Sequence, residues 1–95
     1  MAQEHSESFR LVIQHIHDRA NGNRYYNMVA YRKGRSLKAS GIPLDRLLSN
    51  LHEALPDFDS NKMLMAGAET FVVFTGRFDL TNGQLAMLGL EENNR

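Results

Sequence analysis

The stretch PLDRLLSNLHEALP, residues 43–56, has the most regular pattern in the chain. Its leucines recur at the spacing that places side chains on one face of a helix; they are Leu44, Leu47, Leu48, Leu51 and Leu55. Pro43 suits the first helical position, and Pro56 cannot continue a helix. The stretch therefore predicts a helix. Because its leucine face needs a partner surface, it also predicts a sheet beside that helix.

The stretch TFVVFTGRFDL, residues 70–80, alternates between two kinds of side chain. An alternation with a period of two predicts a half-buried strand. The predicted inner face holds Val72, Phe74, Phe78 and Leu80 around Gly76, and the predicted outer face holds Val73, Thr75, Arg77 and Asp79. A shorter strand, KMLM at residues 62–65, is predicted to precede it and to pair with it through residues 66–68.

The stretch TNGQ, residues 81–84, is compatible with two structures. Asn-Gly between apolar segments is a strong hairpin signal, because both central residues of a type I′ turn need a positive φ. Thr81 is also a good N-cap, and the residues from 84 to 88 are good helix formers. A return strand and a short helix therefore both stay open for residues 84–90.

The stretch FRLVIQHIHDRA, residues 9–20, also fits two structures. A helix would place Phe9, Val12, Ile13, Ile16 and Ala20 on one face. The alternation of apolar residues from Phe9 to Ile13 and the β-branched Val-Ile pair favour a strand, which we predict here. The chain then predicts a strand at residues 25–33, a turn at 33–35 and a return strand at 36–41.

Together these elements predict an α+β fold in a single domain, residues 1–95. The predicted order is β-β-β-α-β-β, with the helical alternative open for the first and the C-terminal strand. The sheet is small and antiparallel, and the leucine-striped helix packs on one of its faces. The polar ends, residues 1–8 and 91–95, are expected to be flexible. The other face of the sheet must be solvated or covered by a partner.

The stretch RYYNMVAYRKGRSLK, residues 24–38, concentrates positive charge in a chain whose 11 basic and 11 acidic residues balance. It holds five bases, three tyrosines and no acid. Arginine and tyrosine are frequent hot-spot residues of protein interfaces, and they also contact phosphates and bases. The predicted partner-binding residues are Arg24, Tyr25, Tyr31, Arg32, Lys33, Arg35 and Lys38. The alternative is structural, with the tyrosines in the core or at an edge and the bases protecting an edge strand from aggregation.

No pattern in the sequence predicts catalysis or a cofactor. The chain contains no cysteine, which excludes disulfides, thiolate catalysis and cysteine metal sites. His15 and His17 would share one face of a strand, but no further ligand has a spacing that completes a zinc site. Asp57 and Asp59 indicate turn chemistry. We therefore expect a protein that is not an enzyme and that has no catalytic residues, metal or cofactor.

The expected function is that of a small non-catalytic regulator or inhibitor that binds an acidic surface of a protein complex. The alternative is nucleic-acid binding through residues 24–38. No apolar run reaches the length of a membrane span, so a cytoplasmic protein without a membrane partner is expected. A free sheet face and opposite charges on one chain also predict a homodimer. Small phage-encoded inhibitors share this size and element order, so a phage or mobile-element origin is expected by architecture alone.

Overall fold

The computed structural model describes residues 5–64 and 72–92 and shows an α+β fold. Its elements are β1 (Ser6–Asp18), β2 (Asn23–Arg32), β3 (Arg35–Ile42), α1 (Leu44–Ala54), α2 (Asn61–Leu64), β4 (Val72–Thr81), α3 (Asn82–Met87) and β5 (Glu91–Glu92). The strands form one antiparallel sheet in the order β4-β1-β2-β3-β5. The predicted class, a small antiparallel sheet with one main helix on it, is confirmed.

The strand β1 is an interior strand of the sheet, between β4 and β2. Phe9, Leu11 and Ile13 are fully buried on one side of it, while Arg10 between them is exposed. This alternation with a period of two is what the strand prediction required, so the helical alternative for residues 9–20 is wrong. Both edges of β1 are paired, so its backbone N–H and carbonyl groups are satisfied on both sides.

The helix α1 covers the side of the sheet that carries those residues, which we call the packed face. Leu47 and Leu51 are fully buried there, as the leucine pattern predicts. Leu44 remains 38% exposed because it lies at the first turn, outside the contact with the sheet. Pro43 is the N-cap, with an extended ψ of 154°, so α1 begins at Leu44, one residue later than predicted. The Pro43 carbonyl accepts a hydrogen bond from the Leu47 N–H at 2.9 Å.

The segment after α1 differs from the prediction of a KMLM strand. Residues 62–64 belong to the short helix α2, because turn contacts fix its start. The Asp59 carboxylate accepts a hydrogen bond from the Asn61 N–H at 3.1 Å, and the Ser60 carbonyl accepts one from the Met63 N–H at 3.1 Å. The rest of the predicted strand and its pairing through residues 66–68 lie outside the described residues.

The helical alternative is correct after β4, where α3 replaces the predicted Asn-Gly hairpin. The Gln84 N–H donates to the Thr81 hydroxyl at 3.1 Å, and the Thr81 N–H donates to the Gln84 side chain at 2.9 Å. This reciprocal capping box stabilises the helix start. The Gln84 amide also donates to the Ala54 carbonyl at 3.0 Å, which fastens α3 to the end of α1. A two-residue strand, β5, follows.

From Phe74 onward, the side chains of β4 lie on the faces that were predicted. Val72 and Val73, which precede Phe74, lie on the opposite faces from those predicted. The pairing with β1 shifts register between Ile13 and Gln14. Val73 is therefore buried, with 8% exposed, while Val72 is 40% exposed, the reverse of the prediction. Gly76 lies opposite Leu11 on the packed face, where a Cβ would stand 2.9 Å from the ring of Phe74.

The turn between β1 and β2 depends on the carboxylate of Asp18. It accepts hydrogen bonds from the Asn21 side-chain amide at 2.8 Å and from the Ala20 N–H at 3.1 Å. The hydrogen bond from the Asn21 side chain is the main cause that lowers the pKa of Asp18 below its ordinary value of 3.8. Because folding favours the charged form, this stabilisation is present above about pH 3.9 and is lost as the pH falls through the lowered pKa.

We expect the Asn21→Ala substitution to return the pKa of Asp18 toward 3.8, since it removes the dominant hydrogen bond and retains the one from Ala20. A carboxyl-carbon NMR titration of both proteins measures this pKa. Asn23→Ala is the matched control, because Asn23 is paired in β2 and is not among the groups that lower the pKa. An unchanged Asp18 pKa in the Asn21 variant would contradict this account of the turn.

Candidate functional site on the open face of the sheet

The second side of the sheet, which we call the open face, carries the residues that alternate with the buried ones. The strand register places Arg77, Arg10 and Tyr31 in one row across β4, β1 and β2. Each of these three side chains is exposed to solvent, and Tyr31 retains 46% of its surface. The row brings together residues that are distant in the sequence, so it is a product of the fold.

A shallow cleft of about 480 Å³ surrounds this row and has a cationic lining. Its lining residues are Ser8, Arg10, Tyr31, Arg32, Lys33 and Arg77. Four of the six carry a positive charge, none carries a negative charge, and the other two carry hydroxyl groups. Guanidinium, ammonium and hydroxyl groups are donors that bind carboxylate or phosphate oxygens, so the cleft is suited to an anionic group.

Two of the three arginines that line the cleft, Arg10 and Arg77, lie directly opposite each other on β1 and β4. Like charges at opposed positions of a sheet are unfavourable, so Arg10 and Arg77 do not stabilise the fold through each other. Within residues 5–64 and 72–92, no carboxylate lies within 4.0 Å of either guanidinium or of the Lys33 ammonium. An anion bound between these groups would relieve the repulsion.

Two of the predicted binding residues, Arg32 and Arg35, are already paired within the chain. Glu7 accepts a hydrogen bond from Arg35 at 3.2 Å, and its oxygen lies 3.5 Å from the Arg32 Nε. Arg35 also pairs with Glu92 and lies 5.7 Å above the ring of Phe9. Arg35 therefore belongs to the packed face, where it stabilises the sheet end, while Arg32 lies between this network and the cleft.

The structure brings only part of the predicted set together. Tyr31, Arg32 and Lys33 share the cleft. Lys38 and Tyr25 lie on the open face outside it, at positions opposite Val29 and Ile16. Arg24 lies at the far end of the β1–β2 hairpin and is exposed.

Sequence reasoning missed Arg10 and Arg77, two of the residues that line the cleft. Each sits in a strand between apolar residues, which already placed it on the outward side. The pairing of β1 with β4 was not foreseen, and only this pairing makes the two arginines neighbours. A search for charged residues that alternate with buried ones in any two strands would have nominated them.

The histidines of β1 do not form a metal site with other described residues. His15 is buried, with 6% exposed, and its ring lies 5.1 Å from the ring of Tyr26, while His17 is exposed. Among residues 5–64 and 72–92, no group of three His, Cys, Asp or Glu side chains is placed to hold a metal ion.

Comparison of the chain with protein-family models, curated proteins and solved structures gives no match. In the part of the chain that the structure describes, no helix combines the length and the apolar character needed to cross a bilayer. The open face and its cleft are therefore the features from which a function is inferred.

Proposed function

We propose that the protein is a small non-catalytic regulator that occupies an acidic surface of a partner protein with the open face of its sheet. The observation that supports this proposal most directly is the cleft, which has four cationic side chains and no acid in its lining. Complementary charge steers a partner and fixes its orientation. The guanidinium, ammonium and hydroxyl groups of the lining are hydrogen-bond donors for an acidic side chain of the partner.

A protein partner is favoured over other polyanions by the apolar middle of the open face. In the row next to Arg10 and Tyr31, Val12 is half-buried and lies opposite Val29, of which only 7% is exposed. Protein interfaces usually have an apolar centre and a polar rim, and tyrosine and arginine are frequent among their residues. Ile16 and Tyr25, also opposite each other, extend this apolar surface toward the hairpin end.

The experiment that tests the proposal begins with affinity capture from the native host and identification of the bound protein by mass spectrometry. The identified protein is then purified, and its Kd is measured for the wild type and two variants. We expect Tyr31→Ala to weaken binding about tenfold or more, as loss of an exposed hot-spot tyrosine does. Met87→Ala is the matched control, because Met87 is a similarly exposed large side chain, with 50% exposed, on α3.

Two outcomes would contradict the proposal. One is an equal loss of binding in the Tyr31 and Met87 variants, which would place the interface elsewhere. The other is a purified partner that binds both variants as tightly as it binds the wild type. Circular dichroism of each variant establishes that the fold is retained before binding is compared.

Nucleic-acid binding is a second candidate because Tyr31 lies directly beside Arg10 in the cleft. A base could stack on this ring while the cations contact its phosphate. The cleft holds one such aromatic residue, however, whereas nonspecific strand binders stack several successive bases. A gel shift with mixed-sequence DNA and RNA across a salt series decides between the two, since phosphate contacts give an affinity that falls steeply with salt.

A further inference from the structure

The strand β4 forms one end of the sheet and has an outer edge ten residues long. No other strand of residues 5–64 and 72–92 pairs with this edge. The opposite end of the sheet is closed by β5, which has only two residues. A long strand edge with free N–H and carbonyl groups is a template for pairing with another chain.

We propose that two copies of this chain pair antiparallel through their β4 strands, with the two-fold axis at Phe78. In this register Arg77 of each copy lies opposite Asp79 of the partner subunit, and Phe78 lies opposite the partner's Phe78. A two-fold interface needs a surface that is complementary to itself. The β4 strand has this property, because a cation and an acid lie two positions apart on its open-face side.

The surroundings of Arg77 and Asp79 within a single copy of the chain support this pairing. Arg77 faces the like charge of Arg10, and Asp79 faces the neutral Ser8. Within the described part of the chain, neither Arg77 nor Asp79 has an oppositely charged partner within 4.0 Å. The antiparallel pair supplies both missing partners, since opposite charges at opposed positions of a sheet attract and like charges repel.

The packed face at the same edge carries aromatic side chains that are incompletely covered. Phe74 and Phe78 are partly buried, and their ring centroids lie 4.9 Å and 6.2 Å from that of Phe58. Pairing through β4 would bring the Phe78 rings of the two copies together and bury more of this cluster. Aromatic pairs across neighbouring strands stabilise a sheet.

This inference goes beyond the proposed function, because it concerns an edge of the sheet. It engages one residue of the cleft, Arg77, and leaves Arg10, Tyr31 and Lys33 accessible to a partner protein. The two-fold axis of an antiparallel pair stands perpendicular to the sheet, so the clefts of both copies lie on the same side. The dimer would therefore present two cationic clefts to one acidic partner surface. The measurements below read molecular mass, so they succeed or fail independently of any partner.

Sedimentation velocity from low to high micromolar concentration tests the pairing. We expect the wild type to change from monomer to dimer across this range. Arg77→Asp and Asp79→Arg, which each oppose like charges twice in the interface, should weaken dimerisation about tenfold or more. The double variant Arg77→Asp/Asp79→Arg restores opposite charges and should recover the wild-type dimer. A wild type that stays monomeric, or a double variant as weak as the single ones, would overturn the proposal.

Disulfide trapping tests the register directly, because the chain has no native cysteine. In Arg77→Cys/Asp79→Cys the new thiols lie opposite each other, with Cβ atoms about 4.5–5.5 Å apart, and mild oxidation should link the two copies. Ser36→Cys/Lys38→Cys is the matched control, since it has the same spacing on the open face of β3. Equal linking of both variants, or no linking of the first, would exclude this register.

Discussion

Leu51→Ala is expected to lower the free energy of unfolding by about 2–5 kcal/mol, one of the two largest effects we predict. Leu51 is fully buried between α1 and the packed face, so its removal costs the transfer of the side chain and leaves a cavity. Urea denaturation followed by circular dichroism measures the change. In a domain of this size each 1 kcal/mol lowers Tm by roughly 4–8 °C.

Leu44→Ala is the matched control for this prediction. Leu44 belongs to the same leucine pattern and the same helix, but 38% of it is exposed, so its loss should cost about 1 kcal/mol or less. If the alanine at residue 51 prevents folding, Leu51→Met keeps the volume and should cost less than about 1.5 kcal/mol. Equal costs for Leu44→Ala and Leu51→Ala would contradict the placement of α1 on the sheet.

Reversing two charges of the cleft is expected to abolish partner binding without destabilising the fold. Arg10→Glu/Lys33→Glu replaces attraction by repulsion at two positions of the proposed interface, so Kd for the purified partner should rise about 100-fold or more. The free energy of unfolding should stay unchanged or rise by up to about 1 kcal/mol, because an acid at residue 10 would lie opposite Arg77. Calorimetry measures the binding, and urea denaturation measures the stability.

The control for this pair is Arg19→Glu/Arg46→Glu, which makes the same change in net charge at exposed residues outside the cleft. The affinity of this control variant for the partner should fall only through the long-range effect of its net charge. Added salt screens that long-range effect. Reversal at Arg32 and Arg35 is a poorer test, since both contact Glu7 and their loss would disturb the fold. A cleft variant that binds as well as the control would contradict the proposed interface.

Much of the fold could be predicted because its signals are local. The leucine spacing at residues 44–55 predicted α1, and the alternation from Phe9 to Ile13 predicted β1. The exchange of Val72 and Val73 could not be predicted, because a register shift depends on the neighbouring strand. At residues 81–84 two local signals competed, and the capping box formed since it satisfies both the Thr81 and the Gln84 N–H groups.

The candidate site could be predicted only in part. The basic stretch indicated Tyr31 and Lys33, which line the cleft, but it also indicated Arg35, which Glu92 and Glu7 retain on the packed face. A count of charges along the sequence cannot show which cations meet an acid in three dimensions. The order of the strands decides this, and it places Arg10 beside Arg77 although 67 positions separate their numbers in the sequence.

At the end of the β1–β2 hairpin, β3 pairs with β2 only as far as Tyr26, so the outer edge of β2 from Asn23 to Tyr25 has no partner strand among residues 5–64 and 72–92. An edge segment of this kind exposes its backbone groups, which lowers its local stability. This end should therefore open before the rest of the sheet, with faster amide exchange than the centre of β1. Each opening would briefly hydrate the imidazole of His15, which is otherwise shielded from water.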